Sequence, residues 1–171
     1  EDTRAFRSVK RTGEILKAVD EIAGTLTKAD VAIIYDWENL WALDDAQGYA
    51  KWKYYNRTVY AYHRFFWKRG IACDIVPRNA DLSEYSLVIA PMLYMTDAAT
   101  IDGLCDFVSS GGTLYATYML GTVDENDLCF LGQIPAGKLK EVFGIVNEET
   151  DVLYPDERHT VSYGGRDYNA V

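Results

Sequence analysis

"VAIIYDWENLWALDD" (residues 31–45) joins a short β-branched run to a stretch bearing four carboxylates and two tryptophans. Residues 31–35 are continuously apolar and bounded by polar residues, which reads as a buried strand. Asp36, Glu38, Asp44 and Asp45, with Trp37 and Trp41 between them, then read as an acidic loop leaving the carboxyl end of that strand.

Working outward, residues 48–69 predict a long helix with Tyr49, Trp52, Tyr55, Val59, Tyr62 and Phe66 on one side, closed by Gly70 in a left-handed cap. "IACDIV" (71–76) is a second strand, stopped by Pro77, and "SLVIAP" (86–91) a third. Thr96 or Asp97 can cap a helix carrying Ile101, Leu104, Cys105 and Val108, which Gly111 and Gly112 end. "TLYATY" (113–118) is a fourth strand, and a short helix runs from about Pro135 to Phe143. Strand-like stretches near 145–153 and 160–163 follow, and residues 4–27 upstream form an amphipathic helix with Phe6, Val9, Leu16, Val19, Ile22, Ala23 and Leu26 near helical spacing. Strand, helix, strand, strand, helix, strand with short connections implies right-handed crossovers and an α/β fold: a mostly parallel sheet covered on both faces, a three-layer α/β/α sandwich. Ligands of such folds collect beyond the carboxyl ends of the strands. The tryptophan loop follows strand one and "DEND" (124–127) follows strand four, so both acidic segments belong to one rim.

Composition narrows the function classes. At 171 residues, 49% hydrophobic and 25% charged, the chain has the makings of one globular domain. A formal charge of −9 and a pI near 4.7 argue against a phosphate-rich partner, and no local basic face is evident, so nucleic acid is set aside. No apolar run approaches the ~20 residues of a membrane span. Cys73, Cys105 and Cys129 are odd in number and lack CxxC spacing, which suits small buried hydrophobes in a reducing compartment. Thirteen Tyr and four Trp are the compositional outlier, equally apt for sugar stacking and for protein interfaces.

Tryptophans beside paired carboxylates invite a glycosidase reading, which needs two carboxyl groups about 5–5.5 Å apart in a retaining enzyme. Asp36 and Glu38 could face one side if extended, but nothing in the sequence makes one an acid and the other a nucleophile, and an interface or loop-ordering role is preferred. Asp124, Glu125, Asn126 and Asp127 offer oxygen ligands without EF-hand spacing, so a solvated or arginine-paired loop is preferred to a metal site. GxSxG, GxGxxG and P-loop motifs are absent, and no glycine-rich elbow surrounds a cysteine. His63 falls in an aromatic helical stretch and reads as packed, and His159 lies in a late loop. No complete catalytic kit, cofactor site or metal site is expected.

"VAIIYDWENLWAL", "KRGIACDIVPRNADLSEYSLVIAPMLYM" and "FVSSGGTLYATYMLGTVDENDLCFLGQIPAGKLKEVFGI" together resemble the middle domain of family 42 β-galactosidases, over about residues 4–155. The resemblance implies a parent chain in three parts: a TIM barrel holding two catalytic glutamates, this α/β domain, and a small β domain. It also implies a flavodoxin-like sheet of the class I glutamine amidotransferase kind and a role in joining three subunits. On that basis residues 1–29 are the connecting helix from the barrel, 30–155 the trimerisation domain, and 156–171 an extension toward the β domain. The partners are those domains and two further copies. Asp36, Trp37, Glu38, Asn39, Trp41, Trp52, Tyr94, Asp124, Glu125, Asn126 and Asp127 are the candidate interface or rim residues, with Trp37, Trp41, Trp52 and Tyr94 as anchors. Amidotransferase relatives carry their cysteine nucleophile in a glycine-rich elbow; here "VIAPMLYMTD" (88–97) occupies that turn, and Cys105 comes too far along the helix to replace it. The leading expectation is a non-catalytic assembly domain in a bacterial cytoplasmic enzyme, export staying open. The alternatives are a carbohydrate-binding module using the Trp/Asp rim and, more weakly, an amidotransferase-like enzyme.

Overall fold

A computed structural model describes residues 2–48, 52–150, 152–154 and 156–170. Among these, β1 (Val31–Ile34), β2 (Cys73–Val76), β3 (Leu87–Ala90) and β4 (Thr113–Ala116) form a parallel sheet in the order β2-β1-β3-β4. All four residues of β1 are buried, and their alternation feeds two cores. Val31 and Ile33 pack with Ala42 and Leu43 of α2 (Trp37–Asp45) and with Tyr55, Val59 and Phe66 of α3 (Tyr55–Trp67). Ala32 and Ile34 pack with Ile101, Leu104 and Phe107 of α4 (Ala98–Ser109) and with Leu139 of α5 (Leu139–Phe143). The three-layer sandwich expected from the sequence is therefore present, with α2 and α3 on one face and α4 and α5 on the other. Outside it, α1 (Arg4–Ala18) buries none of its own residues, and β5 (His159–Tyr163) pairs antiparallel with β6 (Arg166–Ala170).

Several sequence expectations are corrected. The acidic loop is a helix: Asp36 is its N-cap, extended at φ −134°, ψ 132°, with Oδ1 accepting the Asn39 amide at 3.0 Å, and Leu43 inserts inward behind it. The helix expected over 48–69 begins only at Tyr55, because Gly48 (φ 84°) and Tyr54 (φ 53°) are left-handed and cannot continue one; Tyr49 lies outside the described residues. The amphipathic stretch 4–27 stops at Ala18 and leads into a single 3-10 turn, Asp20–Ile22, ahead of Gly24 at φ 78°. The helix expected from Pro135 starts at Leu139, past Gly137 at φ 58°. Residues 145–153 form no strand among those described, only a single bridge from Asn147 to Ile134, whereas β6 was not anticipated. Cys129 is exposed rather than buried, while Cys73 and Cys105 are half-buried. His63 is half-buried on α3 rather than enclosed.

Asp97, not Thr96, caps α4, its Oδ1 taking the Thr100 amide at 2.7 Å. Gly70 does close its turn left-handed, at φ 68°. Gly112 is required for space: a Cβ there would lie 2.3 Å from the Phe107 ring, which fills the gap between α4 and β4.

Candidate functional site

Parallel strands deliver their following loops to one rim, and four segments meet there: the start of α2 after β1, Arg78 after β2, residues 91–97 after β3, and residues 121–128 after β4. Thr122 donates its amide to Tyr94 O at 2.8 Å and Thr96 donates to Val123 O at 3.0 Å, which lays the third and fourth segments side by side. The expectation that both acidic segments share a rim holds. Burial, followed by the charges of Asp45 and Asp124, raises the Asp127 carboxyl above its ordinary range, so the end of α2 and the 124–127 turn are close enough to repel.

The centre of the rim is a residue the sequence reading missed. Arg78, its side chain 10% exposed, donates through Nη1 to Asp36 Oδ1 at 2.9 Å and through Nη2 to Glu38 Oε2 at 2.5 Å, and its Nε lies 3.7 Å from Asp97 Oδ2. One guanidinium thus ties the caps of α2 and α4 together, a task suited to its rigid fork of donors. Burial pulls the Asp97 carboxyl upward, but the Thr100 amide, the charge of Arg78 and the Ala99 amide outweigh it and hold it below the ordinary carboxylate range. The signal for Arg78 was its place directly after Pro77, at the carboxyl end of a strand in a parallel sheet.

Asn39 is fully buried and completes the lock. Its Nδ2 donates to Met92 O at 3.0 Å and its Oδ1 accepts the Met95 amide at 2.9 Å, fastening α2 to the loop after β3. That loop contains the strand-to-helix turn after β3. Met92 occupies it, buried and left-handed at φ 43°, with its amide donating to Thr117 Oγ1 at 2.7 Å. The backbone there is strained, and the side chain it carries is an unreactive thioether. Tyr55 seals the first turn from below: its hydroxyl accepts the Asp36 amide at 3.2 Å, burial pushes its phenol up to about 12, and its ring stacks on Tyr35 at 5.4 Å.

The remaining candidates divide. Trp37 and Trp41, one helical turn apart on α2, are 61% and 63% exposed, and Trp37 meets Tyr35 edge-on at 5.3 Å. Trp52 is exposed beside α3. Tyr94 is corrected: at 7% exposure it belongs to the core under α2, because the 91–97 loop folds inward beneath Asn39, and it cannot anchor a surface. Asp124 closes its own turn, with Oδ1 accepting the amides of Asn126 (2.8 Å) and Leu128 (3.0 Å), while Glu125 and Asn126 point to solvent. A groove of about 500 Å³ beside the rim is walled by Arg78, Asp81, Leu82, Tyr85, Asp106 and Phe107. Among the described residues no helix is long and apolar enough to cross a membrane.

A sequence model of the β-galactosidase trimerisation domain matches residues 29–171. The β-galactosidase GalA of Bacillus licheniformis is 46% identical over 168 residues, covering 98% of this chain and 25% of that protein. Pbg, a β-galactosidase of Clostridium perfringens, is 48% identical over 163 residues, covering 95% and 24%. Among solved structures, Gan42B, a GH42 β-galactosidase from G. stearothermophilus, superposes with a TM-score of 0.82 at 48% identity, covering 98% of this chain and 25% of that one. A β-galactosidase from Bacillus circulans sp. alkalophilus gives a TM-score of 0.80 at 37% identity, covering 99% and 26%. The chain spans about a quarter of the length of the relatives it matches. With the match over residues 29–171 and the superposition of the parallel sandwich in agreement, this chain belongs to the β-galactosidase trimerisation domain family of the GH42 enzymes.

Proposed function

We propose that this domain is the non-catalytic assembly module of a larger retaining β-galactosidase, in which it joins three subunits and walls the active site without reacting. Hydrolysis of terminal β-galactosides falls to two glutamates of a TIM barrel elsewhere in the parent. Residues 1–29 form the connection from that barrel, 30–155 the assembly domain and 156–171 the way to a further β domain, in a cytoplasmic enzyme. The observation that carries this reading is the state of the carboxylates. Asp36 and Glu38 are both engaged by one buried guanidinium, whereas Trp37 and Trp41 beside them stay largely exposed. A general acid needs a free, raised carboxyl and a nucleophile a free, ionised one. Exposed tryptophans on a rigid helix are instead the anchors that dominate interfaces.

Two measurements test the proposal. The chain itself gives no turnover of a chromogenic galactoside above a matched blank; measurable turnover refutes the assignment of catalysis elsewhere. In the full-length parent, light scattering returns the mass of three subunits, and replacing Trp37 and Trp41 together by Ala lowers it. An unchanged mass removes the anchor role from that pair.

A further inference from the structure

Between Ala46 and Cys73 the chain carries six Lys and Arg, nine aromatic residues and no Asp or Glu, while its other 11 Lys and Arg stand against all 26 Asp and Glu. The expectation that no local basic face exists is therefore corrected, and α3 converts this composition into a surface. Tyr55, Val59 and Phe66 turn inward, leaving Arg57, Tyr60, Arg64, Phe65, Trp67 and Lys68 outside. The guanidinium of Arg69 lies 3.6 Å from the centre of the Phe65 ring and that of Arg57 lies 5.8 Å from that of Tyr54. Among the described residues, none of Lys53, Arg57, Arg64, Lys68 and Arg69 pairs with a carboxylate. Aromatic and arginine side chains are the types enriched at protein interfaces, and a patch of them left open marks a contact.

The same helical layer carries its complement. From Ala29 to Ala50 there are five Asp or Glu and no Lys or Arg. α2 displays Trp37 and Trp41 with Glu38, Asp44 and Asp45 outside. Closing three identical subunits into a ring requires a heterologous contact, in which one patch meets a different patch on the next copy; a self-complementary patch closes a dimer instead. The α3 and α2 patches are different surfaces of opposite charge, as a contact of that kind needs. We propose that the outer face of α3, centred on Arg57, Arg64 and Lys68, receives the acidic tryptophan rim of α2, centred on Trp41, Asp44 and Asp45, from a second copy of this chain. This rests on the trimeric assembly reading and names the surfaces that perform it. Opposite charge fixes which patch meets which, and tryptophans against exposed aromatic rings supply the apolar area.

The test uses the full-length enzyme and light scattering across a dilution series in low salt. Arg57→Glu with Arg64→Glu reverses α3; Asp44→Lys with Asp45→Lys reverses α2; a fourth variant combines all four changes, and Arg57→Lys with Arg64→Lys keeps the charge. The wild type and the charge-keeping variant give three-subunit masses. Each reversal raises the dissociation constant of the trimer at least tenfold, and the combined variant recovers most of that loss. Because the two reversals lie on different helices, misfolding of one leaves the other to report. Trimers that withstand either reversal overturn the pairing while leaving the assembly reading intact. Dissociation without recovery in the combined variant overturns it too, since α3 then faces some other anion, such as the parent's own barrel or a nucleic acid. A wild-type mass below three subunits overturns the assembly reading, and the pairing with it.

Discussion

Replacing Arg78 by Met keeps a long apolar stem and deletes the guanidinium, and its three partners respond unequally. The Asp36 side chain is 13% exposed, accepts Nη1 at 2.9 Å and caps α2 with the same oxygen, so its charge has little water to return to. Stripping one member from a buried pair costs about 3–5 kcal/mol, because the remaining charge is left unpaired. The Glu38 side chain is 60% exposed, and a pair so open to solvent contributes about 0–1 kcal/mol despite its short contact. Asp97, 3.7 Å from Nε, is beyond hydrogen-bonding distance and keeps the Thr100 amide as a partner. The expected loss for Arg78→Met is therefore about 3–5 kcal/mol, nearly all of it the stranded Asp36 carboxylate. Urea unfolding at pH 7 measures it, with Asp36→Asn and the double variant completing a cycle. Asn retains a capping oxygen without the charge, so the double variant should regain part of the loss, with a coupling of about 2–3 kcal/mol. A loss below about 1 kcal/mol, or singles that simply add, would refute the reasoning: the guanidinium would then be solvent-screened and the rim held by Asn39 alone.

Three further outcomes follow from the same geometry. Asn39→Ala leaves Met92 O and the Met95 amide buried without their partner, at a cost of about 2–4 kcal/mol, seen as a calorimetric midpoint lower by roughly 5–15 °C; a shift under a degree means that water replaces the amide. Gly112→Ala drives a Cβ into the Phe107 ring and destabilises by about 1–3 kcal/mol, a loss that Phe107→Leu in the same chain should partly relieve. Asp127→Asn stabilises the chain at pH 7. A carboxyl raised in the folded state loses stability as pH climbs from its unfolded value, ~3.9, through its folded one, and Asn escapes that loss while tolerating the left-handed backbone at φ 61°. Urea midpoints taken from pH 3 to pH 7 should show the two proteins converging at the acid end, and a gain constant with pH refutes the electrostatic cause.

What could be read from the sequence, and what could not, follows from the range of the forces involved. β1, β3 and α4 were legible because continuous or helical apolar spacing reports burial directly. α2 was not, although Asp36 and Asn39 carried its cap: only three of its nine residues are buried, and charges crowd both of its ends. The start of α3 depends on Tyr54 adopting φ 53°, a tertiary choice that nothing in "KWKYYNR" encodes. Aromatic composition could not tell Trp41, which faces out, from Tyr94, which faces in. Arg78 pairs with carboxylates 42 and 40 positions upstream, contacts that only the strand order reveals.

The strand order also bears on the proposed role of this fold as a frame rather than a binding site. In the order β2-β1-β3-β4, the chain turns to opposite sides after β1 and β3, and the diverging loops open the crevice in which doubly wound proteins hold ligands. Here Asn39 crosses that crevice to Met92 and Met95, Arg78 spans it from Asp36 toward Asp97, and a buried methionine sits at the strained turn after β3. Each of these side chains uses up a polar group or a volume that a ligand would need. What the rim gains is stiffness: α2 is fixed at its first turn by a charged fork and behind it by the two hydrogen bonds of the Asn39 side chain. Trp37 and Trp41 are thereby presented in one orientation, which on the proposed assembly role lowers the entropy lost on docking a partner.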